Sequence, residues 1–121
     1  MTTTLILPIY FTLEQVQDFG RITGDNGPVH SVHGIVQGGF ILSMLPLWLN
    51  QLLADNDLLN GMDHSVSMIL EAKFRNKLAA HTHALVSFTY TEPGISVSKL
   101  NWRVYDDQRE YCFGKWVIHK S

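Results

Sequence analysis

The sequence predicts an α+β protein in which a curved antiparallel sheet wraps around one long apolar helix. Three observations predict it. The first half of the chain reads as helix, and the second half reads as long strands. Between them, from Gln37 to about Ala54, runs a segment with apolar residues on nearly every side of a helical wheel. Such a helix needs cover on all sides, and a sheet that curls around it supplies the cover with the fewest elements. The length, 121 residues, fits a single domain spanning 1–121.

Each element has its own warrant. Leu5 to Tyr10 is a short apolar strand. Thr12 and Gln15 fit a capping box, in which the threonine accepts from a first-turn amide and the glutamine reaches back. Phe11, Val16, Phe19 and Ile22 follow near helical spacing, so the helix is placed at 12–22, with Gly24 as its stop. Residues 24–35 hold three glycines, one proline and two histidines without a period, and read as loop. In the apolar segment Pro46 removes one backbone bond, and a kink or break near Ile41 to Leu42 is expected. Ser65–Phe74, Thr82–Thr91, Ile95–Tyr105 and Glu110–His119 are rich in β-branched and aromatic residues. Glu92-Pro93-Gly94 and Asp106-Asp107-Gln108 read as hairpin turns. In the last strand Cys112, Gly114, Trp116 and Ile118 share one face, and Tyr111, Phe113, Lys115, Val117 and His119 the other. The order strand, helix, apolar helix, then strands is that of the hotdog architecture. Its sheet leaves an open edge, so a homodimer or dimer of dimers is expected.

Composition narrows the function classes. Hydrophobic residues make up 45% and aromatic residues 11%, which argues against disorder. The formal net charge of -2 gives no basic excess, so nucleic acid is not an expected partner. Charged residues are only 17%, a hint that some surface is covered by a partner subunit. Cys112 is the single cysteine, so neither an intrachain disulfide nor a cysteine zinc site can form. Met1 to Ile9 has no Lys or Arg and does not read as a secretory leader. The longest apolar stretch, Gly38 to Leu49, is too short to span a bilayer and contains Ser43 and Pro46. A cytoplasmic protein is expected, with no membrane partner, no cofactor and no metal. His81 and His83 would share a strand face at i and i+2, but no third ligand stands near them in the sequence.

The chemistry concentrates at residues 23–39. The string Thr23-Gly24-Asp25-Asn26-Gly27-Pro28-Val29-His30 is followed by Val36-Gln37-Gly38-Gly39-Phe40 at the start of the apolar helix. It resembles the signature of the MaoC-like hotdog hydratases, the (R)-specific enoyl-CoA hydratase type. There a helix ends in Ser/Thr-Gly-Asp-x-Asn-Pro-x-His, and a His-Gly-Met-type turn opens the central helix. Phe19-Gly20-Arg21-Ile22 also resembles the family's helix end, and Lys73-Phe74-Arg75 its Phe-Arg strand end. The resemblance is closest over residues 11–54. It implies a hydratase or dehydratase of enoyl or 3-hydroxyacyl thioesters, carried by CoA or by an acyl carrier protein. It implies Asp25 and His30 as the catalytic pair, acting on one water, and a Gly38 amide facing the developing enolate oxygen. Gln37, Gly39 and Arg75 would contact substrate. Gly27 stands in place of the motif asparagine, and Gln37 in place of the histidine. The span from His30 to Gly38 is eight residues, shorter than is common in the family.

The bare residues have plainer readings beside these. Asp25 suits a turn after a helix, Asn26-Gly27 is an ordinary turn signal, and His33 has no matching family role. Lys73, Arg75 and Lys77 suit either the phosphates of CoA, an acidic carrier protein or a solvated strand end. Trp48, Met44 and Leu45 are expected in the core rather than on a pocket wall. Two other function classes stand beside the hydratase: a hotdog thioesterase, and a non-catalytic subunit that binds an acyl group or assembles a complex. Thioesterases of this fold commonly draw their acid from the central helix. Here the first carboxylate of that helix is Asp55, at its far end, and the helix has no Glu.

Overall fold

The computed structural model describes residues 2–56, 65–91 and 97–120. In chain order the elements are β1 (Thr2–Ile9), α1 (Leu13–Thr23), α2 (Pro28–Ser31), α3 (Gly38–Asp55), β2 (Ser65–Phe74), β3 (Ala84–Thr91), β4 (Val97–Tyr105) and β5 (Glu110–Lys120). The strands form one five-stranded sheet in the order β1-β3-β4-β5-β2, antiparallel at every junction. This is the hotdog fold. Its edges are β1 and β2.

The core is built where the pleat of the sheet meets one face of α3. In β4 and β5 the register sets Val104 against Cys112, Trp102 against Gly114 and Leu100 against Trp116. Except for the side-chain-less Gly114, these residues are buried, together with Val86 and Phe88 of β3. The alternate residues Arg103, Asn101 and Lys115 point outward and are exposed. The division of faces in β5 is thus as expected, except that Tyr111 is also buried. Gly114 makes this packing possible. A Cβ there would stand 1.7 Å from the Glu71 carbonyl oxygen and 2.9 Å from Cζ2 of Trp102, so the indole takes the space a side chain would need.

α3 contributes Ile41, Leu45, Trp48, Leu49, Leu52 and Leu53 to the same core. It is not covered all round, as the sequence had suggested. Leu47 is 60% exposed, and Ser43 and Asn50 lie on the outer surface. An apolar helix of this kind tolerates one open face because a single exposed Leu costs little. The helix also runs unbroken through Pro46. Only one ladder bond is lost there, and packing on both sides holds the segment together.

Other boundaries moved by a few residues. The first strand begins at Thr2 and ends at Ile9, with Pro8 tolerated on an edge strand. β3 begins at Ala84 rather than Thr82. His81 and His83 therefore do not share a strand face. His81 has φ 63°, its Nε2 accepts from the Leu13 amide at 3.2 Å, and its Nδ1 meets the Tyr10 hydroxyl at 3.0 Å. It serves as an added cap on α1, while His83 stacks near the Tyr10 ring. The turn after β4 is held by Asp106, whose Oδ1 accepts from the Gln108 and Arg109 amides at 2.9 and 3.0 Å. The Tyr111 hydroxyl donates to the same carboxylate and, with those amides, holds its pKa below the ordinary value. The expected turn at 92–94 lies outside the described residues.

Gly114→Ala is expected to destabilise the protein by at least about 2 kcal/mol, because backbone on β2 and the Trp102 ring would both have to shift. Chemical denaturation of the two proteins measures this directly, and a loss below about 0.5 kcal/mol would show that the sheet accommodates the methyl group.

Candidate active site

The loop that carries the candidate pair begins with the way α1 stops. Thr12 accepts from the Gln15 amide at 3.1 Å, and the Gln15 side chain accepts from the Thr12 amide at 2.9 Å, completing the expected capping box. At the other end Gly24 is left-handed, with φ 84°, and its amide donates to the Gly20 carbonyl at 2.8 Å. A non-glycine residue would be strained in that conformation. The Thr23 hydroxyl donates to the Phe19 carbonyl at 2.7 Å and accepts from the Asp25 amide at 3.3 Å. The Thr-Gly-Asp string is therefore a helix terminator that delivers a carboxylate.

Gly20 lets the loop fold back on its helix. A Cβ at Gly20 would lie 2.9 Å from the Asp25 carbonyl oxygen and 3.0 Å from Cβ of Asn26. The chain then makes one further helical turn, α2, where plain loop was expected. Pro28 at its first position supplies a preset φ, and the Gly27 carbonyl accepts from the His30 and Ser31 amides at 2.9 and 3.0 Å. This turn aims His30 back at Asp25.

The two side chains meet. Asp25 Oδ1 lies 3.4 Å from His30 Nε2, with side-chain exposures of 53% and 18%. His30 Nδ1 stands 2.7 Å from the Ile35 carbonyl oxygen. A carbonyl can only accept, so Nδ1 carries the proton there. In the neutral ring Nε2 is then a free base, turned toward the carboxylate. At 3.4 Å the two atoms are in near-direct contact, too close for a water to lie between them, so a water could meet both only from the side.

Gln37 stands behind this loop. It is fully buried, and its Nε2 donates to the Val16 carbonyl at 2.9 Å and to the Asp25 carbonyl at 3.1 Å. Its place is that of a brace between α1, the loop and the start of α3. Gly38 and Gly39 follow as the first residues of α3, where helix amides have no partner within the helix. Gly39 is exposed, and a Cβ on it would meet only Phe19 at 3.8 Å. Over Gly38 lies the ring of Phe74, whose Cζ is 3.0 Å from where a Cβ would be. The sequence offered Phe74 only as part of a strand-end motif. No local signal reports a contact between residues this far apart.

The remaining candidates lie apart from the pair. Arg75, Asn76 and Lys77 are exposed at the rim of a cavity of about 210 Å³, and the Arg75 guanidinium lies 5.0 Å above the Phe113 ring. A larger hollow, of about 660 Å³, runs over the outer face of the sheet between Lys73, Arg103 and Lys115, and no residue of the 24–37 loop lines it. Cys112 is buried, and that burial pushes its thiol up to about 12, so it is no nucleophile at neutral pH. Trp48 and Leu45 lie in the core and Met44 packs against it, as expected. Among the described residues no helix is long and apolar enough to cross a membrane.

No family model matches the chain, and no curated protein matches it. Solved structures do. An (R)-hydratase from A. caviae involved in PHA biosynthesis is 17% identical, covers 98% of this chain and 95% of its own, and superposes with a TM-score of 0.74. The ChsH1-ChsH2 complex from Mycobacterium tuberculosis is 8% identical over 98% of this chain and 96% of that one, at a TM-score of 0.77. The gentisyl-coenzyme A thioesterase BH1999 is 12% identical over 94% of this chain and 87% of its own, at 0.63. The chain shares their fold.

Gly27 caps α2 with φ -59° and nothing within 4 Å of a Cβ. Asparagine at this position adds a side-chain acceptor for the free amides and restricts the unfolded chain. Gly27→Asn is thus expected to stabilise the protein by about 0.5 kcal/mol. A melting curve displaced upward by about 2 °C is the expected reading; a downward displacement would mean that the loop needs glycine for another reason.

Proposed function

We propose that the protein hydrates enoyl thioesters, and by reversal dehydrates 3-hydroxyacyl thioesters, with Asp25 and His30 acting together on one water. The observation that carries this reading is the Asp25–His30 pair, with Nε2 left free by the Ile35 carbonyl. A water resting against the open side of the pair, within reach of both acceptors, donates one proton toward each. As its oxygen bonds to the β-carbon, one of the pair takes a proton, and the C=C electrons move to the α-carbon and thioester oxygen. A free amide at the start of α3, that of Gly38, stabilises the enolate charge with help from the helix dipole. The proton then passes to the α-carbon, so one water is added and no group leaves.

The thioesterase reading is weaker on a particular point. Attack of water on the thioester carbonyl needs a base beside that carbon, at the helix start. α3 has no acidic residue in its first turn, and its first carboxylate is Asp55. The carboxylate instead comes from the loop with a histidine partner, which suits a water placed at the β-carbon, two bonds further along the acyl chain. The resemblance of the Thr-Gly-Asp…Pro-x-His string points the same way. Within this reading Gln37 is a positioning residue, Gly39 leaves the helix start open, and Arg75 and Lys77 face the phosphates of a CoA or carrier-protein arm.

Asp25→Asn and His30→Ala should each lower the hydration rate of crotonyl-CoA by about 10² to 10⁴ while leaving the melting temperature nearly unchanged. The double variant should be barely worse than the worse single one, since both groups serve the same water. Loss of enoyl absorbance and release of free thiol, followed together, separate the two activities. Full turnover in either single variant would refute the proposed pair; thiol release without hydration would favour the thioesterase.

A homodimer or a dimer of dimers accompanies the proposal, because β1 and β2 leave two sheet edges and Ile22 and Val32 are 84% and 70% exposed beside the loop. Sedimentation velocity at micromolar concentration should give at least twice the chain mass of 13.7 kDa. A stable monomer would count against assembly.

A further inference from the structure

We infer that Phe74 sets the length of acyl group the protein accepts, by closing a small apolar cavity against the start of α3. This rests on the acyl-thioester reading above, but not on which reaction follows binding. Phe74 is the last residue of β2 and pairs in register with Cys112 of β5. The two share a face of the pleat, and Cys112 is buried, so Phe74 projects to the inner side of the sheet. Yet the ring is 51% exposed. It reaches beyond the end of α3, where nothing covers one side of it among the described residues.

The ring spans two places. On one side its Cζ and Cε1 lie 3.0 and 3.2 Å from the point where a Gly38 side chain would begin. On the other it closes a cavity of about 210 Å³, whose apolar wall is Ile35, Val36, Ile41 and Cys112. Gly38 and Ile41 are three apart on α3 and so lie on one helix face. The proposed oxyanion position and the apolar cavity are therefore neighbours, with Phe74 between them. The cavity is smaller than the ~300 to 1,000 Å³ of a drug-sized ligand site. Its apolar walls suit a short hydrocarbon tail. A half-exposed ring at a strand end can turn aside without disturbing the core, whereas the buried wall cannot give. Phe74 is thus the one wall residue whose size can be changed without loss of fold.

The test is calorimetric titration with two unreactive thioethers, S-butyl-CoA and S-octyl-CoA, against the protein and its Phe74→Ala and Phe74→Trp variants. The expected result is that the protein prefers the butyl probe, that Phe74→Ala shifts the butyl-to-octyl ratio of Kd values toward octyl by at least about tenfold, and that Phe74→Trp shifts it the other way. Should Phe74→Ala melt well below the parent protein, Phe74→Leu carries the same comparison with a smaller shift. Equal changes for both probes, or no change, would overturn the inference and leave the hydratase reading standing. A length-dependent shift in a protein that hydrates no enoyl thioester would sustain the inference and overturn the hydratase reading. Failure of both probes to bind would overturn both.

Discussion

The side-chain amide of Gln37 is where the helices and the loop of this protein are tied together. Its two N–H groups reach the Val16 carbonyl of α1 and the Asp25 carbonyl of the loop, and its backbone caps α3. The bond to Val16 is buried and the bond to Asp25 partly so, and water replaces the first poorly if it is lost. Leaving the buried carbonyl unpaired would cost on the order of 1 to 3 kcal/mol. That is a large share of the stability of a small domain. The loop therefore cannot drift from the helix start without breaking something costly. An imidazole at this position offers at most one ring donor to each side, and its planar geometry differs. A primary amide can serve two carbonyls from one nitrogen, which suits a position between two backbone segments.

The same economy runs through the loop. The Asp25 backbone and the His30 ring are each held by a partner outside the pair. Thr23 holds the Asp25 amide, and the Ile35 carbonyl holds the His30 ring. Gly20 gives the loop a surface to rest on, because a methyl group there would collide with the Asp25 carbonyl. The result is a carboxylate more than half exposed beside an imidazole mostly covered. The carboxylate stays in contact with solvent, while the shielded ring is fixed in orientation by its bond to the Ile35 carbonyl.

What the residues revealed in advance depended on distance along the chain. The cap at Thr12, the stop at Gly24 and the turn at Asp106 were legible because each is settled by neighbours within four positions. The four later strands were legible from pattern alone. The single turn of α2 was not, since four residues carry no period, although Pro28 marked its start. His81 and His83 were misplaced because the sequence gives no sign that residue 81 has positive φ. The open face of α3 was hidden by composition: Leu47 is as apolar as Leu49, and only the path of the sheet decides which of them is covered. For the candidate site, Asp25, His30 and Gln37 were found by motif, and the structure brings them into one group. Phe74 over Gly38 joins residues 36 positions apart, and only the register of β2 against β5 places it.

That contact also changes the meaning of the glycine. From sequence, Gly38 admits a thioester oxygen close to the backbone. In the fold, the space above its Cα is already filled by an aromatic ring. The two demands are compatible, because they use different sides of the residue. A helix-start amide points back along the axis, toward the loop, whereas the missing side chain would point outward to the ring. Glycine at this position therefore does not by itself argue for an oxyanion site, since packing against Phe74 would select it in a protein with no catalysis at all. The weight of the functional reading falls instead on Asp25 and His30. Packing has no need of an imidazole nitrogen set 3.4 Å from a half-exposed carboxylate.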